Sequence, residues 1–158
     1  MAKFIYRMQN ILNLKEKMED QKKSAYRNAL NRLSEEEEVL KKLEQKKNGF
    51  QERLKEVLSG LEEEANQDTP QIDLTEVKSL NEAVEIMKEK IRFQQMAVTN
   101  ARRKAEIARL ELGEAMQERK IQEKLREHAF EQFKIELNEE EKKEVDQLVS
   151  FQYGRKKQ

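Results

Sequence analysis

The feature that most constrains this chain is a long run of apolar residues at alternating steps of three and four, between about Leu74 and Leu137. The run comprises Val77, Leu80, Val84, Met87, Ile91, Val98, Ala101, Ala105, Ala108, Leu112 and Ala115. This spacing places the side chains on one stripe of an α-helix, which is the pattern of a coiled-coil seam. Because the stripe is narrow, the helix needs a partner helix to cover it.

The first half of the chain carries a matching but weaker stripe. Its first stretch is predicted to use Phe4, Met8, Ile11, Met18, Ala25 and Ala29, with lysines at positions 15 and 22. Beyond Ala29 the phase moves by one residue, and the stripe continues through Leu33, Leu40, Leu43, Phe50, Leu54, Val57 and Leu61. A phase step of this kind predicts a local relaxation of the supercoil.

A polar segment at residues 62–71 separates the two stripes and contains the sole proline, Pro70. Asp73 with Glu76 forms a capping box, and Ile72 with Val77 forms a hydrophobic staple, so a second helix starts there. The sequence therefore predicts a single coiled-coil domain over residues 1–158. Its parts are a helix over about 3–62, a turn over 63–72, a helix over 74–151 and a tail over 152–158. Asn138 with Glu141 allows a break near 138.

The predicted fold class is all-α, a long two-helix antiparallel coiled-coil hairpin. With a turn near residue 69, the numbers of facing residues sum to about 138, which pairs Leu61 with Val77 and Phe4 with Phe133. Arms of roughly 60 residues would be on the order of 90 Å long. The alternative, a parallel dimer of one continuous helix, would carry Pro70 in its middle at a cost of about 3 kcal/mol per chain.

The composition favours a helical, non-catalytic protein. Charged residues make up 41% of the chain and aromatic residues 6%, which is typical of long helices. There is no cysteine, which fits a reducing, cytoplasmic location. The four glycines are isolated and His128 is the only histidine, so we expect no nucleotide site, no metal site, no cofactor and no catalytic residue.

Charge is unevenly distributed, which indicates oriented docking with a partner. Residues 1–32 hold 8 basic and 3 acidic side chains, whereas residues 33–76 hold 6 basic and 13 acidic. The basic segments 102–104 and 155–157 lack interleaved aromatic residues, so we expect no nucleic-acid binding. The N-terminal segment could lie on an anionic membrane, but the favoured interpretation is that it closes the open end against Phe130, Phe133 and Leu137.

The two ends of the chain resemble the flagellar export protein FliJ family. The resemblance rests on Phe4 to Glu16 (FIYRMQNILNLKE), on Lys143 to Val149 (KEVDQLV) and on the Tyr153-Gly154-Arg155 that follows. It extends over the full length, although the middle is weak because coiled coils resemble one another. The fold it implies is similar to the coiled coil of the γ subunit of rotary ATP synthases.

The resemblance implies a non-enzymatic, cytoplasmic component of the flagellar type III protein export apparatus, at the cytoplasmic face of the inner membrane at the flagellar base. Such proteins insert into the hexameric export ATPase FliI, stimulate it, and contact the export gate protein FlhA. FliH and export chaperones are further implied partners, and the protein alone is expected to be monomeric. The alternative is a structural or adaptor coiled coil of another secretion assembly.

Carried onto this chain, the resemblance places ATPase binding at the open end of the hairpin. The residues implied are Tyr6, Arg7, Gln9, Lys15, Phe151, Tyr153 and Arg155. Tyr6 and Arg7, like Tyr26 and Arg27, are predicted to lie off the seam, and an end rich in aromatics and arginine is typical of an interface. Leu80 and Val84 occupy the region of the gate contact, although both also fit the seam.

Overall fold

The computed structural model describes residues 2–65 and 74–156, which form two α-helices and no strand. Helix α1 spans Gln9–Ala65 and helix α2 spans Leu74–Lys156. The two helices pack as an antiparallel hairpin, so the predicted fold class is confirmed. Most of the predicted turn, with Pro70, the Asp73 cap and Ile72 of the staple, lies outside the described residues.

Helix α1 begins at Gln9, six residues later than predicted. Residues 2–6 have no regular structure and residues 7–8 form a turn. The Gln9 amide donates to the Tyr6 carbonyl at 3.1 Å, and the Leu12 amide donates to the Met8 carbonyl at 3.1 Å. The segment before the helix is held instead by the side chain of Phe4, which packs on α2.

Helix α2 continues without interruption through Asn138 to Lys156. The capping-box pattern at Asn138 and Glu141 therefore does not end the helix. No proline or glycine occurs between Asn138 and Gly154, and Glu139 precedes Lys143 at the i,i+4 spacing that stabilises an exposed helix. The helix propensity of this segment is therefore sufficient for α2 to continue beyond the capping-box pattern.

The predicted seam of α2 is confirmed. Val84, Ile91, Val98, Ala101, Ala105 and Ala115 are the buried apolar residues of this helix, at 5–7% exposure. Val77, Leu80, Met87, Ala108 and Leu112 are half-buried at the intervening seam positions. The alanines leave little side chain between the two backbones, which allows the helices to approach closely.

The predicted phase step in α1 is wrong, because its covered positions follow one unbroken heptad. Gln9, Gln51 and Gly60 are half-buried beside this heptad. The buried or half-buried residues that keep its spacing are Leu12, Lys15, Glu19, Lys22, Tyr26, Ala29, Leu33, Glu36, Leu40, Leu43, Lys47, Phe50, Leu54, Val57 and Leu61. Met8, Ile11, Met18 and Ala25, which were predicted for the seam, are exposed. Tyr26, which was predicted to lie off the seam, is half-buried at a seam position, so that prediction is also wrong. An unbroken register keeps α1 facing the equally unbroken seam of α2, and the small alanines of α2 leave room for a large side chain such as Tyr26.

Contacts divide the chain into two compact units. Among the described residues, the first unit contains 2–23 with 111–156, and the second contains 24–65 with 74–110. In the second unit, Arg53 pairs with Glu76 at 3.2 Å and Arg102 with Glu37 at 3.7 Å. Each such exposed pair contributes between about 0 and 1 kcal/mol, so these pairs orient the helices more than they stabilise them.

The predicted register holds to within one residue at three contacts, whereas four polar contacts between the helices are shifted from it by five to nine residues. Phe4 with Phe133, Glu19 with Arg119 and Glu37 with Arg102 lie within one residue of it. Lys15 instead pairs with Glu118 and Lys22 with Glu111, each five residues short of the predicted partner. Gln94, which donates to the Glu36 carbonyl at 2.9 Å, lies eight residues before position 102, the predicted partner of Glu36. The true register is therefore shifted toward the N-terminus of α2.

Candidate functional site

The N-terminal segment is attached to α2 by an aromatic cluster in the first unit. The Phe4 ring meets Phe130 with centroids 5.1 Å apart at an interplanar angle of 64°, and meets Phe133 at 5.5 Å and 48°. Edge and tilted arrangements of this kind are the favoured geometry for aromatic pairs. This confirms that the segment closes against Phe130 and Phe133.

Four of the predicted ATPase-binding residues, Tyr6, Arg7, Gln9 and Lys15, lie in the N-terminal part of the chain. Arg7 is the exposed one. Tyr6 is half-buried, and so is Gln9, whose side-chain amide donates to Asn13 Oδ1 at 2.9 Å. Lys15 is also half-buried and forms an ion pair with Glu118 at 2.8 Å. Arg7 is therefore the member of the group whose charge is most accessible to a partner.

An open cleft of about 380 Å³ lies beside the aromatic cluster. It is lined by Phe4, Leu12, Glu16, Glu123, Arg126, Glu127 and Phe130. Its three carboxylates are partly compensated, because Arg126 lies among them and Glu123 is already paired with Arg119. The nearby Gln122 Oε1 is buried with no hydrogen-bond partner among the described residues.

A buried ion pair joins the two helices of the same unit. Glu19 is 4% exposed and accepts a hydrogen bond from Arg119 Nε. Arg119 Nη1 also donates to Glu123 at 2.7 Å, and Lys23 lies 3.3 Å from Glu19. Burial alone would raise the pKa of Glu19, but the bonds from Arg119 and Lys23 outweigh it and hold that pKa below its usual value. The sequence pattern did not predict this pair, because its one signal is that Glu19, a carboxylate, occupies a seam position where an apolar residue is expected.

The ion pair predicts a specific loss of stability in acid. Because the folded state holds the pKa of Glu19 below 4.5, the pair stabilises the fold fully above that pH and is lost as pH falls through the lowered folded value. We expect Glu19→Gln to remove this part of the pH dependence and to lower the urea midpoint at pH 7. Urea unfolding from pH 2.5 to pH 7 measures both effects.

The exposed Glu16→Gln is the matched control, since its side chain belongs to the same helix and lies off the seam. Its pH dependence of stability should follow that of the wild type. Identical acid profiles for Glu19→Gln and Glu16→Gln would contradict a special role for the buried pair.

The last part of α2 has no covering helix in the first unit. Every residue from 138 to 155 is exposed. Five large side chains, distributed around more than half of the helix circumference, make up what we call the C-terminal face: Val145 at 57% exposure, Leu148 at 63%, Val149 at 49%, Phe151 at 64% and Tyr153 at 69%. The Arg155 guanidinium lies 5.4 Å from the Phe151 ring centroid. Apolar side chains at helical spacing without cover are typical of a protein-binding surface.

The predicted ATPase-binding residues therefore form two surfaces instead of one. Tyr6 lies close in sequence to Phe4, which packs at Phe130 and Phe133. From Phe133 to Phe151 the axis of α2 advances about 27 Å. Sequence reasoning used Phe151 and Tyr153 as site residues but missed Val145, Leu148 and Val149 as part of the same exposed face. The signal was available: these three keep a helical spacing where α1 provides no partner.

The predicted gate-contact residues lie in the seam of the second unit. Leu80 is half-buried and Val84 is 6% exposed. Leu74, at 68% exposure, is the most exposed of the apolar residues at the start of α2. A partner that approaches here meets Leu74 and the outward edge of Leu80, whereas Val84 can act only through helix packing.

Across the described ranges 2–65 and 74–156, no three His, Cys, Asp or Glu side chains are placed to hold a metal ion. No helix in that part of the chain is long and apolar enough to cross a membrane. The N-terminal cluster, the C-terminal face and the start of α2 are thus the features that carry a functional argument.

Comparison with known proteins gives the family. The family model described as "Flagellar FliJ protein" matches residues 4–158. The chain belongs to the FliJ family. Its membership confirms the resemblance stated above and supports a role for this FliJ-family chain as a component of type III secretion or flagellar export.

A solved structure supports the fold assignment of this FliJ-family chain. It is the protein CT670 from Chlamydia trachomatis, described as a YscO homologue, with a TM-score of 0.75. The two are 24% identical, and the match covers 99% of this chain and 100% of the other. No curated protein sequence matches the chain significantly.

Proposed function

We propose that this FliJ-family protein inserts into the hexameric export ATPase FliI and stimulates it, without itself catalysing a reaction. The observation that carries the proposal is the C-terminal face, five large apolar or aromatic side chains left uncovered on one helix. A hydrophobic face of this kind, with aromatic residues and Arg155, has the composition of the central part of a protein interface.

The N-terminal surface is the second contact in this proposal. Arg7 supplies an exposed charge, and Tyr6 and Phe4 hold the backbone that presents it. Gln9 and Lys15 contribute less, because both side chains already have partners within the hairpin. Because the two surfaces are separated along α2, they contact the ATPase at two different depths.

The start of α2 contacts the export gate protein FlhA in the same proposal. Leu74 and Leu80 offer the accessible apolar surface, and Val84 positions the helix from the seam. FliH and export chaperones are further proposed partners of the assembled complex. The protein thereby links the ATPase to the gate from the cytoplasmic face of the inner membrane.

Stimulation requires that the protein bind one state of the ATPase more tightly than another. A ligand shifts a conformational equilibrium only by its difference in affinity for the two states. The assembled ring offers a composite surface that single subunits lack, so binding to it favours assembly. Hydrolysis then rises because the assembled form is more populated.

The proposal is tested by the ATP hydrolysis rate of purified FliI from the same organism, with and without the full-length protein, together with the size of the ATPase. We expect a faster rate and more hexamer at substoichiometric amounts of the protein. If the hairpin is folded and neither quantity changes, the adaptor alternative is favoured and the stimulatory role is rejected.

Replacement of Arg7 tests the N-terminal contact. We expect Arg7→Ala to raise the concentration needed for half-maximal ATPase stimulation by about tenfold, the size typical of a buried interface arginine. Its circular dichroism should match the wild type, since the side chain is exposed. Tyr6→Ala should act in the same direction, with some loss of packing because Tyr6 is half-buried.

Arg27→Ala is the control: the sequence grouped Arg27 with Arg7, but Arg27 is an exposed arginine that belongs to the second unit, whereas Arg7 belongs to the first. It should leave stimulation unchanged. Equal effects of the Arg7 and Arg27 replacements would indicate a general charge effect and remove Arg7 from the proposed contact.

A further inference from the structure

A second apolar stripe runs along α2 in the second unit and takes no part in the hairpin seam. We call it the outer stripe: Ile86 at 53% exposure, Phe93 at 64%, Met96 at 60%, Ile107 at 51% and Leu110 at 55%. None of these residues belongs to the surfaces proposed above for the ATPase or the gate.

Each member of the outer stripe follows a seam position by two residues. Two residues turn an α-helix by about 200°, so the stripe points away from α1. From Ile86 to Leu110 it extends about 36 Å along the helix. The steps between its members are seven, three, eleven and three residues. Steps of seven and three are those of a heptad seam, and the step of eleven passes over Asn100 and Arg103, which occupy the two intervening positions. α2 is therefore built to cover one helix and to receive another.

The surroundings of the outer stripe are basic. Residues 90–105 hold five basic side chains and no acidic one. Arg102 is paired with Glu37 of α1, and Arg92 lies 3.9 Å from Glu89. Among the described residues, Lys90, Arg103 and Lys104 make no ion pair. Uncompensated charge beside an exposed apolar stripe favours a partner of opposite charge.

An open cleft of about 360 Å³ lies within this basic stretch. Arg92, Gln95, Met96, Thr99, Asn100 and Arg103 line it. Met96 is a flexible apolar side chain that adapts to a partner surface, and Asn100 and Arg103 provide polar donors. The cleft can thus receive one large apolar side chain and the acidic groups next to it.

We propose that the outer stripe docks an amphipathic α-helix with acidic flanks, supplied by another protein and lying along α2. The apolar positions of that helix cover Phe93, Met96 and Ile107. Its glutamates or aspartates face Lys90, Arg103 and Lys104. The result is a local three-helix coiled coil in the second unit.

A second copy of this chain fits less well. The antiparallel register that places Phe93 against Leu110 of the other copy also brings Arg102 and Arg103 of both copies together at the twofold axis. Like charges placed face to face disfavour such a pair. Asn100 and Arg103 also interrupt the stripe at its middle, which a coiled coil tolerates but a lipid surface does not favour. Phe93 is its single aromatic residue, which is little for stacking bases.

The test uses the full-length protein and two synthetic helical peptides of about four heptads. Both peptides are monomeric and carry leucine at the seam positions; one has glutamate at the flanking positions and the other has lysine. Fluorescence anisotropy should show at least tenfold tighter binding of the glutamate peptide. Phe93→Ser combined with Met96→Ser should weaken that binding at least tenfold.

The matched control is Leu30→Ser combined with Val39→Ser, which removes two exposed apolar side chains from α1, at 41% and 45% exposure. It should bind the glutamate peptide as the wild type does, and both double variants should keep the wild-type circular dichroism. ATPase stimulation provides a separate readout: it should survive in the Phe93 and Met96 variant, so failure of this inference is distinguishable from failure of the proposed function.

Several results would overturn the inference. One is a failure of both peptides to bind, and another is equal binding of the two. A third is sedimentation that shows a wild-type dimer dissociated by the Phe93 and Met96 replacements. Binding to phosphatidylglycerol vesicles or to single-stranded RNA that those replacements abolish, at matched circular dichroism, would assign the stripe to a membrane or to nucleic acid instead.

Discussion

Replacement of Val98 by aspartate is expected to destabilise the hairpin far more than any substitution on its surface. Val98 is 6% exposed in the seam of α2. Burial of an unpaired carboxylate costs about 4 kcal/mol, because the side chain must either stay charged without water or take up a proton. For a chain of this size that corresponds to a drop in melting temperature of roughly 10 °C. Thermal unfolding followed by circular dichroism measures it.

Asn100→Asp is the matched control for this change. It introduces the same carboxylate two residues away, at an exposed position of the same helix. Its expected effect is within about 0.5 kcal/mol of zero, as for most surface substitutions. If both variants melt together with the wild type, Val98 does not lie in a tightly packed seam.

A chain that ends at Asn138 is expected to lose ATPase stimulation while it keeps the stability of the hairpin. The truncation removes the C-terminal face, whose loss should raise the concentration for half-maximal stimulation by more than tenfold. It removes little packing, because residues 139–155 are all exposed. The urea midpoint and the FliI hydrolysis rate should therefore respond independently.

Two full-length double variants distinguish the effect of losing the C-terminal face from the effect of shortening the helix. Leu148→Ser with Phe151→Ser keeps every residue but removes two members of the C-terminal face. Glu140→Ser with Glu144→Ser changes two exposed residues of the same segment as a control. Stimulation should fall only in the first variant, and full stimulation by the truncated chain would remove the face from the proposed function.

The seam of α2 could be read from the sequence because one set of apolar residues, from Val77 to Ala115, fills nearly every heptad position, whereas the outer stripe leaves Asn100 and Arg103 polar. The N-terminal part of α1 offers two sets one residue apart. The set with Ile11, Met18 and Ala25 is more apolar, whereas the set with Leu12, Glu19 and Tyr26 continues the later register. Apolarity favoured the first set, but continuity of packing against α2 selected the second. That choice depends on how α1 packs against α2, and the sequence pattern of α1 alone carries no information about this packing.

The candidate site was predictable to a similar extent. Phe4 and its contact with Phe133 followed from the register, since apolar residues at both ends had to meet. The separation between Arg7 and Phe151 did not follow, because it depends on where each helix begins and ends. The sequence pattern allowed α2 to end near Asn138. The structure shows that α2 continues to Lys156 and that its residues 138–155 are exposed, without a partner helix over them.

The uncovered end of α2 also determines how the protein binds and leaves a partner. A helix segment without tertiary contacts is only marginally stable in water, so it frays and re-forms on a timescale of about a microsecond. Ordering it on a partner consumes part of the interaction free energy, which lowers affinity without reducing the contact area. The C-terminal face can therefore be selective for its partner and still release it quickly.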